Sequence, residues 1–237
     1  MKSNLSKLFV CVFILFSFLK TNNSIAQCVT GTEFSKTTPK RDLRGAFVAS
    51  VYNLDWPTNK SATPAVQQAE LIAILDNLKT NGYNSVFLQV RSECDAMYIS
   101  TIEPWSQWLT GTQGQAPSPL WDPLAFAVTE AHNRGLELHA WLNPYRAQTS
   151  SPATYPKAAN HIISTNPSWV MTATRTDFAT NNTRIMDPGI PGVQARIVQI
   201  VQEIATNYNV DGIHFDDYFY FGPASATAYG MLASPNN

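Results

Sequence analysis

The chain has 237 residues, 44% of them hydrophobic and 14% charged, with 16 basic against 17 acidic side chains. Such a composition suits a globular domain with a sizeable core. It excludes a polyanion-binding role, because the longest basic cluster is Lys40, Arg41 and Arg44 and no Lys/Arg face can be built from it.

The first 26 residues read as an address. Lys2 and Lys7 precede an apolar run from Leu8 to Leu19, and small residues follow at Ser24 and Ala26, the pattern of a signal peptide cleaved after Ala26. The run of 12 residues is too short for a membrane span, which needs roughly 20. Gln27 stands where a small residue is wanted before a lipidated Cys, which disfavours acylation at Cys28. Cleavage leaves 211 residues with 13 basic and 17 acidic side chains, a net charge of −4. The expected location is outside the cytoplasm, in the periplasm, at the outer membrane or beyond the cell. Export permits disulfides, and Cys28 and Cys94 remain either as one bridge or as two unrelated thiols.

A polar tail covers 27–40, and the folded domain is expected over 41–237. A first strand runs from about Gly45 to Tyr52. A helix begins at Thr63 and Pro64, where a hydroxyl can cap and proline supplies the first turn. Leu71, Ile74, Leu75 and Leu78 form its apolar stripe. The second strand is Ser85 to Arg91, followed by a Pro- and Trp-rich excursion, Ser92 to Pro119. The next helix starts at Asp122 and Pro123, carries Leu124, Ala127, Val128 and Ala131 on one face, and stops at Gly135. The third strand is Glu137 to Pro144. A second excursion runs from Tyr145 to Asp187. A helix after Pro191 and Gly192 buries Ile197, Ile200, Val201 and Ile204, and the fourth strand is Gly212 to Tyr218.

Strands alternating with helices imply a parallel α/β sheet. Long loops after strand C-termini are where a (β/α)8 barrel builds its active face. A whole barrel takes about 250 residues, so four units followed by a Gly-, Pro-, Ala- and Ser-rich tail are expected to be part of one, incomplete at its C-terminus. Half-barrels pairing as a homodimer are the alternative, and the oligomeric state is not readable.

Strand alternation puts Val86, Leu88, Val90, Leu138, Ala140, Leu142, Ile213 and Phe215 toward the helices. Phe87, Gln89, Arg91, His139, Trp141, Asn143, His214, Asp216 and Tyr218 then face the interior. Inward Arg91, His139, Asn143, His214 and Asp216 are costly unless paired. Either they form a functional cluster or they close the barrel top as an ion-pair network, for instance Arg91 with Asp216.

Five segments carry a resemblance to a known family: Leu43-Arg-Gly-Ala-Phe47, Asn53-Leu-Asp-Trp-Pro57, Phe87-Leu-Gln-Val-Arg91, His139-Ala-Trp-Leu-Asn-Pro-Tyr-Arg146 and Asp211-Gly-Ile-His-Phe-Asp-Asp-Tyr-Phe-Tyr220. In this order they resemble the bacterial glycosyl-hydrolase-like family 10 domain, from about Arg41 to Phe221. The resemblance implies a TIM barrel related to α-amylase-like glycosidases, found in cell-envelope proteins. Its implied activity is hydrolysis of O-glycosidic bonds, for some members in peptidoglycan stripped of its peptides. By the same analogy Asp216 is nucleophile or base.

Glycoside hydrolysis generally needs two carboxyl groups. Asp216 is the first candidate and Asp217 the runner-up. Glu93, Asp95 and Glu103 sit on the loop after the second strand, but the acid is expected on a later strand. Arg91 is a candidate for an anionic substituent, and His139, Asn143 and His214 for sugar hydroxyls. Asp95, Arg146 and Tyr218 complete the candidate substrate contacts. Trp56, Tyr98, Trp105, Trp108 and Tyr145 are candidate ring platforms, each also able to serve only as packing. No metal or cofactor is expected: Gly111-Thr-Gln-Gly114 is too short for a nucleotide loop and follows no strand. The competing classes are a glycan-binding pseudoenzyme and a metal-dependent hydrolase using His139, His214 and Asp216.

Overall fold

The computed structural model describes residues 42–149, 155–175, 181–216 and 219. The expected signal peptide, Cys28, the polar tail, Asp217 and Tyr218 lie outside the described residues. Among those described, no helix is long and apolar enough to cross a membrane.

Four parallel strands form the scaffold in the order β1, β2, β3, β7: β1 Gly45–Val48, β2 Ser85–Arg91, β3 Glu137–Leu142 and β7 Gly212–Phe215. Three long helices connect them, α1 Pro64–Thr80, α3 Pro123–Asn133 and α5 Pro191–Asn207. The starts follow the expected chemistry at the prolines and at Asp122, whereas the Thr63 hydroxyl makes no capping hydrogen bond. Pro64, Pro123 and Pro191 each open a helix, and the Asp122 side chain caps α3 by accepting from Ala125 N.

The helix-facing positions of the sheet meet the helix stripes in one apolar core. Val86, Leu88, Val90, Leu138, Ala140 and Leu142 pack with Leu71 and Leu75 of α1, Leu124, Ala127 and Ala131 of α3, and Ile197, Ile200 and Ile204 of α5. Each fully buried aliphatic side chain in such a layer contributes roughly 1.5–3 kcal/mol. β2 keeps its expected bounds, while β1, β3 and β7 stop earlier than their patterns imply. β1 ends at Val48 because Val51–Asn53 turns into a 3-10 helix, with Tyr52 at φ 59 and Asn53 at φ 53.

The opposite sheet face carries aromatic rings in stacked levels. Phe47 lies on Phe87 with ring centroids 4.8 Å apart, Phe87 neighbours His139 at 4.8 Å, and His214 touches both phenylalanines at 5.2 and 5.3 Å. Glycine makes room for His139: a Cβ on Gly212 would stand 2.3 Å from His139 Nδ1.

The two excursions contain structure that apolar periodicity does not announce. After β2 lies the short helix α2, Gln107–Thr110. After β3, strands β4 Arg146–Gln148, β5 Val170–Arg175 and β6 Asn181–Met186 form an antiparallel sheet in the order β4, β6, β5, with α4 Ile162–Thr165 between β4 and β5.

Candidate functional site

The C-terminal ends of all four parallel strands are tied by one buried hydrogen-bond chain. Gln89 Oε1 accepts from the Ser50 and Val51 amides after β1, at 2.9 Å each. Its Nε2 donates to Asn143 Oδ1 at 2.5 Å, and Arg146 Nη2 donates to the same oxygen at 2.7 Å. Asn143 Nδ2 then donates to the Asp216 carbonyl at 3.0 Å. Ser50, Gln89, Asn143 and Arg146 are all buried, so removing one partner would leave others unpaired at about 1–3 kcal/mol each. Asn143 is thus a hub that fixes the main chain of Asp216. The Asp216 side chain is half-buried, and among the described residues its carboxylate makes no hydrogen bond or ion pair.

His214 stands on the same inner face one step down the strand, half-buried among Phe47 and Phe87. His139 does not join Asp216 at the mouth. It pairs in register with Gly212 at the other end of β7, and its Nε2 lies 3.2 Å from Glu137 Oε2. His139, His214 and Asp216 therefore do not converge as a ligand set. Among the described residues no three His, Cys, Asp or Glu side chains are grouped to hold a metal ion.

Arg91 departs from the expected pattern for a definable reason. The β2–β3 register shifts between Gln89, opposite Trp141, and Arg91, opposite Leu142. A bulge of this kind adds one residue and re-aims the side chains beyond it. Arg91 consequently leaves the inner face. Its Nη1 donates to the carbonyls of Asn143 and Pro144, and its Nη2 meets Glu103 Oε1 at 3.1 Å, an oxygen shared with Arg196 Nε of α5 at 3.1 Å. Arg91 is fully buried and its ion-pair partner is Glu103, not Asp216.

The loop acids are similarly enclosed. Glu93 accepts from Trp108 Nε1 at 2.9 Å, from Tyr155 Oη at 3.0 Å and from the Thr149 amide. Asp95 accepts from Ser92 Oγ at 3.3 Å and the Glu93 amide at 3.1 Å, with Gln113 Nε2 at 3.5 Å. Burial, reinforced by the Glu93 charge, pushes the Asp95 carboxyl up to about 6. His161 donates from Nε2 to the Glu93 carbonyl at 2.8 Å and accepts the Ile163 amide on Nδ1 at 3.2 Å, capping α4. Burial lowers it to about 4. Burial also lowers Lys157 to about 8, its Nζ lying 3.4 Å over the Tyr155 ring. Cys94 is a buried free thiol, pushed by burial up to about 12.

Trp56 and Tyr98 are fully buried, so they line no open surface; Trp56 Nε1 donates to the Gln67 carbonyl at 2.8 Å. Tyr145 and Trp105 are half-buried against the core. Arg146 Nε donates to the Ser92 carbonyl at 2.7 Å. Trp108 keeps a half-buried ring beside Tyr52, at 5.3 Å and 67°. Tyr52, 40% exposed, is absent from the sequence-derived candidates because the alternation carries β1 through it. The adjacent Asn53, tolerant of positive φ, is the available sign of a turn.

The hub, Asp216 and the long loops all lie at the C-terminal ends of the parallel strands, the end at which (β/α) barrels build their sites. Residues 42–229 match the family model described as glycosyl hydrolase-like 10. The chain belongs to this family. It is 39% identical over 180 residues to the glycosyl hydrolase YngK of Bacillus subtilis, covering 76% of this chain and 34% of that protein. To the glycosyl hydrolase DigH of Escherichia coli K12 it is 41% identical over 186 residues, covering 75% of this chain and 42% of the relative. The chain thus spans between a third and a half of the length of these curated relatives. Among solved structures, a chitobiase from Flavobacterium johnsoniae superposes with a TM-score of 0.50 at 12% identity, over 84% of this chain and 26% of that one. The fold is α/β with a parallel sheet, and its structural neighbours are TIM-barrel glycosidases.

Proposed function

We propose that this family member takes part, outside the cytoplasm, in the hydrolysis of O-glycosidic bonds of an envelope glycan, with peptidoglycan stripped of its peptides as the first substrate to test. Its four parallel strands are read as four βα units of an eight-stranded barrel. Asp216 is the carboxylate that acts at the anomeric carbon, as nucleophile if its partner acid stands about 5 Å away and as base toward water if the pair is wider. The observation that carries this reading is the contrast within Asp216: a main chain fixed by Asn143 and a carboxylate left unengaged by the described residues. A main chain so held fixes where the side chain starts and leaves its oxygens open to substrate, which is part of what positioning in catalysis requires. Asp217 is the alternative carboxylate, and His214, directly below, is placed to contact a sugar hydroxyl.

A second reading is a glycan-binding protein without turnover. It is favoured by the burial of Glu93, Asp95 and Glu103, which leaves none of the three at a surface where a leaving group could meet it. Reducing-end release from denuded peptidoglycan by the protein extended to a full barrel separates the two, with Asp216→Asn and Asp217→Asn alongside. Turnover lost in one variant establishes a glycosidase and selects its aspartate. Bound glycan without turnover supports the second reading, and neither binding nor turnover removes both.

A further inference from the structure

We propose that Tyr52, with Trp108 as its side wall, is a stacking platform for a pyranose ring of the glycan whose bond lies at Asp216; this deepens the glycan-active reading and rests on it. The starting observation is backbone strain. Tyr52 has φ 59 and ψ 12, a left-handed conformation that costs an L side chain of this bulk about 1 kcal/mol or more, and it is followed by Asn53 at φ 53. Strain of this kind persists only where the surroundings over-determine it.

Here they do so with hydrogen bonds from both sides. Before Tyr52, the Ser50 and Val51 amides are held on Gln89 Oε1. After it, Asn53 Nδ2 donates to the carbonyls of Pro57 at 2.6 Å and Trp108 at 2.8 Å, while the Asn53 amide returns to the Ser50 carbonyl at 2.9 Å. The result is a tyrosine ring that is 40% exposed rather than packed in the core.

The wall beside it is equally fixed. Trp108 Nε1 is anchored on the buried Glu93 carboxylate at 2.9 Å, its amide is capped by Ser106 Oγ at 3.2 Å, and Lys60 Nζ stands 5.6 Å from its ring centroid. Tyr52 meets Trp108 at 5.3 Å and 67°, so the rings make a rigid corner, not a flat patch. A rigid aromatic ring with a polar tip presents the apolar face and hydrogen-bonding edge that a pyranose matches.

The hub fixes its position. Val51, adjacent to Tyr52, is linked through Gln89 and Asn143 to the Asp216 carbonyl, so Tyr52 lies on the mouth side of the sheet. β1 and β7 are separated by β2 and β3, three strand spacings or about 14 Å along the sheet. The sheet curves, since Phe47 of β1 meets His214 of β7 at 5.2 Å across its inner face, so the platform stands across the mouth from Asp216, where it would hold another ring of the same chain.

The test uses the full-barrel protein carrying Asp216→Asn, so that glycan is bound without turnover, and calorimetric titration with soluble strands of denuded peptidoglycan. Tyr52→Phe should keep affinity within about twofold, because the ring remains. Tyr52→Gly and Tyr52→Ala should each weaken it roughly tenfold, with circular dichroism unchanged. Strands bound equally well by the Gly and Ala variants would overturn the platform while leaving the glycan reading intact. No binding by the Tyr52 protein itself would overturn both.

Discussion

At the end of β7 the Asp216 main chain is pinned by Asn143 while its carboxylate meets no partner among the described residues. In the loop after β2, Glu93, Asp95 and Glu103 are all buried and each accepts hydrogen bonds from several donors. The two regions hold the same functional group in opposite states. Buried carboxylates, each holding hydrogen bonds from other segments, brace the excursions, with Glu93 alone joining α2, the Thr149 segment and Tyr155. Asp216, with its carbonyl held and its carboxylate without a partner among the described residues, is the one proposed for chemistry. Acids near a barrel mouth are therefore sorted by what already occupies their lone pairs rather than by nearness in sequence.

The comparison can be broken most forcefully at Arg91. Arg91→Met takes one of two guanidinium partners from the buried Glu103 and should cost about 3–5 kcal/mol in urea unfolding; a loss below about 1 kcal/mol would mean that Arg196 alone satisfies that carboxylate. Next in size is a pH effect on the enclosed loop. His161 titrates near 4 when folded against 6.5 ordinarily, so the unfolded chain binds the extra proton. Stability present above 6.5 is lost as the pH falls toward 4, by up to about 3 kcal/mol. Asp95, raised to about 6 from 3.8, works the other way: its penalty is full above 6 and disappears as the pH falls through that window. His161→Asn, which keeps a cap acceptor, should flatten the acid limb of the stability curve, and Asp95→Asn should steepen it.

Glu93→Gln sharpens the same contrast at a smaller scale. An amide oxygen cannot accept everything that two carboxylate oxygens accept from Trp108, Thr149 and Tyr155, so a loss of about 2 kcal/mol in chemical denaturation is expected. A neutral result would mark Glu93 as held for something other than bracing. The smallest effect is at Tyr52, where Gly should be more stable than Ala by about 1 kcal/mol if the left-handed backbone is strained as its φ of 59 implies. Equal melting temperatures would contradict that.

The scaffold is legible in the sequence because its determinants are local. Alternation at Val86, Leu88 and Leu138, Ala140 and the stripes at Leu71, Leu75 and Ile197, Ile200 encode which face meets which. The features that escape are set at long range or by single-residue irregularities. The register shift between Gln89 and Arg91 leaves the apolar alternation through Val90 intact, so nothing in the pattern shows Arg91 leaving the inner face. Glu93 takes its partners from Trp108, Thr149 and Tyr155, which are 15, 56 and 62 positions away. The sheet of β4, β5 and β6 escapes too, since Thr172, Thr174, Asn181, Asn182 and Thr183 give its strands no apolar period. For His139 the pattern gives the correct face but not the correct height, because alternation reports sides and not levels.

The most direct test of the contrast is turnover of denuded peptidoglycan by the full-barrel protein, with Asp216→Asn set against Glu93→Gln at a temperature where both are folded. The account predicts that Asp216→Asn loses at least a thousandfold, about 4 kcal/mol of transition-state stabilisation, while Glu93→Gln stays within about tenfold. Full activity in Asp216→Asn together with abolished activity in folded Glu93→Gln would contradict it, and would make the buried carboxylate the working one.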